Sequence, residues 1–157
     1  MKKILAFVLI MGAMFGCKPD GYKDIGPVYD LTTGIDGSWQ IAEVEITDLT
    51  LPVPEGRDIS EFYTKSNPLK IDFDAEAGTY NVVNPEVKGN NFGTQGTFEF
   101  NDPEFPSAVM LITAENDTLN MTLTNMVRSI DPKMGLKLTR ARCGEDYVSY
   151  GYTFNRK

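Results

Sequence analysis

Histidine is absent from this chain of 157 residues. That absence removes the usual general base near neutral pH and the commonest metal ligand. Cysteine occurs twice, at Cys17 and Cys143, which is too few for a zinc site built on paired cysteines. Positive charge is scarce as well: 15 Lys and Arg against 22 Asp and Glu leave a formal net charge of -7. An acidic domain repels phosphate backbones, so nucleic acid is not an expected partner. No cofactor motif is found, and no cofactor is expected. A long apolar run is also missing. The longest, Ile4 to Phe15, is about a dozen residues, short of the roughly 18 that a spanning helix needs.

What is present begins with AFVLIMGAMFGCKPDG, Ala6 to Gly21. An apolar run behind Lys2-Lys3 stops at a cysteine, and Lys18, Pro19 and Gly21 follow close behind. Two lysines, a short apolar stretch and small residues form the layout of a signal peptide rather than of a core helix. Met14-Phe15-Gly16-Cys17 resembles the bacterial lipobox. That resemblance implies a diacylglycerol on the Cys17 thiol, cleavage just before it, and residues 1–16 as leader. Each buried methylene contributes about 0.8 kcal/mol, and one acyl chain binds only marginally, so two or three chains on Cys17 would give a stable membrane anchor. Lys18 is not the aspartate that holds many such lipoproteins at the inner membrane. The expected location is therefore the outer membrane, on its periplasmic or cell-surface face. A thioether at Cys17 cannot pair with Cys143, which is then a lone thiol and is expected as a small buried hydrophobe.

Residues 17–34 are rich in Gly, Pro and Asp and read as a tether with a reach of about 20–25 Å. Residues 35–157 read as one domain. Their apolar residues recur with period two: Leu69, Ile71 and Phe73; Phe98 and Phe100; Leu119, Met121 and Leu123; Val148, Tyr150, Tyr152 and Phe154. Each run predicts a strand with one buried and one wet face. In Ser38 to Ile46 the phase slips between Trp39/Ile41 and Val44/Ile46, which predicts a bulge near Ala42-Glu43. Asp74 to Gly78 closes one hairpin, and Asn116-Asp117 predicts a tight two-residue turn between Ala108–Glu115 and Thr118–Thr124. One helix is expected over Asp58 to Lys65, capped by Asp58, ended by Asn67-Pro68 and placed across an open end of the sheet. About eight strands joined mostly by short turns give an all-β fold, an antiparallel up-and-down barrel with one short helix.

Gly37-Ser38-Trp39 at the start of the first strand resembles the first lipocalin motif. In that fold the tryptophan plugs one barrel end and an arginine near the last strand packs on it. Arg156, in phase with Tyr150, Tyr152 and Phe154, matches that place, so the resemblance implies barrel closure by Trp39 and Arg156. Over its full length the chain is similar to lipocalin-like lipoproteins of Bacteroidetes, a family largely of unknown function, and the resemblance brings no catalytic residue. Tyr150 and Tyr152 either line a ligand-binding mouth or fill the core. The acidic stretch Asp72 to Glu76 reads as a solvated strand edge rather than a paired-carboxylate or calcium site. Lys137, Arg140 and Arg142 form a small basic group near Cys143. The favoured function is a lipid-anchored protein that binds a small, largely apolar ligand. The alternative is a non-catalytic subunit of an outer-membrane uptake or envelope complex. An enzyme acting on glycans through Asp and Glu alone is the least supported reading.

Overall fold

The computed structural model describes residues 31–125 and 127–157; the leader, Cys17 and the first part of the tether lie outside the described residues. A 3-10 turn, Thr33–Ile35, opens the domain. It is followed by β1 (Gly37–Asp48), β2 (Glu55–Asp58), a one-turn helix α1 (Glu61–Thr64), β3 (Lys70–Asp74), β4 (Thr79–Val83), β5 (Gln95–Phe100), β6 (Ala108–Thr113), β7 (Thr118–Leu123), β8 (Lys133–Arg142) and β9 (Glu145–Arg156). Gly34 and Ile35 are buried, so packing of the domain begins inside the stretch that composition reads as tether.

The strands pair in the order β2-β1-β3-β4-β5-β6-β7-β8-β9, and β1 pairs again with β9. Eight strands, β1 and β3 to β9, therefore close an antiparallel barrel, and β2 is an extra strand alongside the second half of β1. Closure leaves no free edge in the ring itself. Gly37 and the turns after β3, β5 and β7 mark one end, the entry end. Asp48 and the turns after β4, β6 and β8 mark the other, the mouth.

Alternation decides what fills the ring. Ile71 and Phe73, Tyr80 and Val82, Val109 and Leu111, Leu119 and Met121, and Tyr152 and Phe154 all point inward and are buried. Burial of each such side chain stabilises the fold by about 1.5–3 kcal/mol. The phase slip in β1 is a bulge: its register against β9 shifts between Ile41 and Glu43, so Trp39, Ile41 and Val44 can all be buried.

Three local expectations are corrected. The helix is only Glu61–Thr64, with Ser60 at its N-cap; Asp58 ends β2, and its carboxylate accepts from the Ser60 amide and hydroxyl. The extra strand takes Asp58, the residue expected as the cap, so the helix starts later. The β6–β7 hairpin has a four-residue loop rather than a two-residue turn. The Thr113 hydroxyl accepts from the Asp117 amide, and Asn116 takes a left-handed φ of 63°. Cys143 is exposed, not buried: it stands with Gly144 at the tip of the β8–β9 hairpin, where no core exists to receive it.

Candidate functional site

The entry end is sealed. The Trp39 indole is fully buried, and its Nε1 donates to the Ile35 carbonyl at 2.7 Å. The Arg156 guanidinium lies 4.2 Å over the Trp39 ring. It also donates to the carbonyls of Asp131 at 3.1 Å, Asp36 at 2.7 Å and Gly34 at 2.6 Å. This pair therefore ties the entering chain, the β7–β8 loop and the last strand together.

Toward the mouth the interior is filled by aromatic rings. Phe92, from the loop after β4, is fully buried with its ring centroid 4.9 Å from Tyr152 and 6.0 Å from Phe154. Tyr63 of α1 packs edge-on against Tyr152 at 6.2 Å. Their polar ends are matched: the Tyr63 hydroxyl donates to the Gly89 carbonyl at 2.6 Å, and the Tyr80 hydroxyl donates to the Phe92 carbonyl at 2.8 Å. Asn91 donates to the Tyr152 hydroxyl at 2.7 Å and accepts from Arg140 at 2.8 Å. Burial pushes Tyr80 up to about 12 and raises Tyr63 and Tyr152 above the usual phenol range. These phenols are packing groups that hold their protons.

The two tyrosines singled out from the sequence therefore separate. Tyr152 belongs to the core, while Tyr150, stacked on it at 6.3 Å and 13°, is half-buried and faces outward from the plug. Above the plug, β1, β8 and β9 outrun the other strands. The β7–β8 pairing reaches only Leu138, whereas β8 and β9 pair on to Arg142 and Glu145. With β2 they make a sheet that projects past the barrel, and its inner face forms one wall of a groove of about 560 Å³. Ile46, Leu51, Tyr147, Val148 and Tyr150 supply the apolar lining, and Asp48, Glu55 and Arg57 supply the charge. Register explains the grouping: Ile46 pairs with both Arg57 and Tyr150, and Asp48 pairs with both Glu55 and Val148, so one face carries them all.

The groove is chemically mixed. Hydrogen bonds from the Thr50 hydroxyl and then its amide lower Asp48 below the usual carboxylate range, so it stays an acceptor. Among the described residues, Glu55 and Arg57 are in no ion pair and so are open to a ligand. No group of three or more His, Cys, Asp or Glu among the described residues could hold a metal ion. The basic residues near Cys143 do not act together: Arg140 serves the plug, Lys137 lies on the opposite face of β8, and Arg142 stands at the tip, opposite Glu145 in the backbone register. Asp74 caps its own turn by accepting from the Ala77 amide at 2.9 Å.

Sequence reasoning missed Tyr63, Phe92 and all of β2. Tyr63 sits in a stretch correctly expected to be helical, with no mark of inward direction. Phe92 is a lone aromatic between Asn91 and Gly93, which reads as loop. β2 is exposed at every residue and has no period-two signal to find. No family model, no curated protein and no solved structure matches this chain significantly.

Proposed function

We propose that this chain is a lipid-anchored lipoprotein of the outer membrane whose lipocalin-like barrel binds a small, largely apolar ligand at the mouth. The anchor rests on the leader and Cys17, and the ligand on the groove. Its volume falls in the usual range for small-molecule sites, and it joins apolar walls to a few convergent polar groups. The interior, filled by Trp39, Phe92, Tyr152 and Phe154, acts as a scaffold, which moves the binding site outward from barrel centre to mouth. Tyr150 is the platform, with one neighbouring ring fixing its orientation and its remaining surface free to stack. Asp48, Glu55 and Arg57 at the rim orient a ligand that carries hydrogen-bonding groups at one end.

The test is a native mass spectrum of the mature protein after exposure to an extract of its own cells. The expected result is a discrete added mass that Tyr150→Ala removes at least about tenfold, as loss of a stacking platform and its buried area should. A bare mass under gentle ionisation overturns ligand binding and leaves the barrel as a scaffold for an envelope protein partner.

A further inference from the structure

The entry end carries two large apolar side chains that are held out into solvent. Phe105, in the β5–β6 loop, is 64% exposed, and Ile130, in the β7–β8 loop, is 75% exposed. Neither stands on a slack loop. Asp102 accepts from the amides of Glu104 and Phe105 at 2.8 and 2.9 Å, and Asn101 accepts from those of Ser107 and Ala108 at 3.0 and 2.8 Å. Pro106, next to Phe105, is buried. On the other loop, Asp131 accepts from the Arg128 amide at 2.9 Å, and Arg156 grips the carbonyls of Asp131 and Pro132. Built turns therefore hold both side chains outward.

The chain enters between these loops. Thr32 shares a hollow with Phe100 and Pro103 on the Phe105 side. Gly34 lies so close to the β7–β8 loop that a Cβ there would stand 1.7 Å from the Val127 carbonyl oxygen, an approach only glycine permits. The described chain therefore begins at this end, and the residues before it, Cys17 among them, connect to the domain here. Isolated exposed apolar residues are ordinary on a surface. Leu51, Val53 and Phe62 are exposed at the mouth as well, but Phe105 and Ile130 stand on tied turns at the end where the chain enters, which is the end a bilayer holding that chain would cover.

We infer that the entry end is a lipid-contacting surface, with Phe105 and Ile130 dipping into the interfacial region, so that the groove at the mouth opens away from the membrane. This rests on the lipoprotein reading above. The Arg128–Asp131 ion pair at 3.3 Å leaves no net charge beside Ile130, and Glu104 adjoins Phe105, which suits a zwitterionic headgroup layer rather than a strongly anionic one. The ligand then arrives from the aqueous compartment, not from the bilayer.

Trp39 is the one tryptophan and is fully buried, so its emission provides a constant background. The full acylated protein is reconstituted into phosphatidylethanolamine/phosphatidylcholine vesicles with plain or brominated acyl chains. Phe105→Trp and Ile130→Trp are compared with Tyr147→Trp at the mouth, and Cys17→Ser is floated in parallel. Brominated chains are expected to quench the indoles at positions 105 and 130 at least about twofold more than the one at 147, with blue-shifted emission, as burial at an interface requires. Equal quenching at all three positions in protein that floats through Cys17 overturns the orientation and leaves the anchor standing. Protein that does not float overturns the anchor, and the orientation with it.

Discussion

Arg156 shows how much one side chain can hold at the residue scale. Its planar guanidinium stacks on Trp39 and donates to carbonyls on the entering chain and on the β7–β8 loop. A lysine reaches the same region but has neither the plane nor the fixed fork of donors. Arg156→Lys is therefore expected to cost about 2 kcal/mol, from lost hydrogen bonds near 1 kcal/mol each and a partly desolvated cation–π contact. Urea unfolding followed by Trp39 emission measures it; a midpoint equal to wild type would mean that water or a neighbouring group takes over those carbonyls. This contact was legible in the sequence because glycine-any-tryptophan and a terminal arginine in strand phase are both visible there. The partition of Tyr150 from Tyr152 was not legible. Both share a face of β9, and only the Phe92 loop and α1, docking over one of them, separate core from groove.

At the scale of elements, alternation made the barrel strands and the β1 bulge readable. What alternation does not mark is an element whose reasons lie elsewhere. β2 exists because the projecting half of β1 offers a free edge, and the four exposed residues Glu55–Asp58 pair with it through backbone alone. The charged half of the groove, Glu55 and Arg57, was hidden for the same reason. The β8–β9 tip offers a test of local chemistry. Cys143 and Gly144 both have positive φ, 54° and 85°, as a two-residue type I′ turn demands, and a cysteine is poorly suited to the first position. Its side chain is exposed, so replacement touches no packing. Cys143→Asn creates the preferred turn pair and is expected to raise stability by about 0.5–1 kcal/mol. A drop in the thermal midpoint instead would show that the thiol makes a contact worth more than the backbone strain.

For the whole molecule, the aromatic plug couples the barrel to pH. Tyr63, Tyr80 and Tyr152 come from α1, β4 and β9, and each phenol is buried; those of Tyr63 and Tyr80 donate to carbonyls, and that of Tyr152 accepts from Asn91. Burial raises all three, Tyr80 to about 12 from an unfolded value near 10.0. The folded state thus keeps protons that the unfolded chain gives up. The sign follows from linkage: where the native state binds more protons, stability falls as pH rises. The contribution is fully present below pH 10.0 and is lost progressively as pH climbs through about 12 for Tyr80. Because the three rings join the helix, the Phe92 loop and the last strand, and because β1 closes on β9, ionising one of them opens the ring rather than a single loop. Alkaline unfolding is expected as one cooperative transition seen alike by Trp39 emission at the entry end and by tyrosinate absorbance at the plug. Tyr80→Phe should start less stable at pH 8, having lost its bond to the Phe92 carbonyl, yet show a shallower decline above pH 10.0. If tyrosinate absorbance rises well before Trp39 emission moves, the plug opens alone and the barrel is not one cooperative unit.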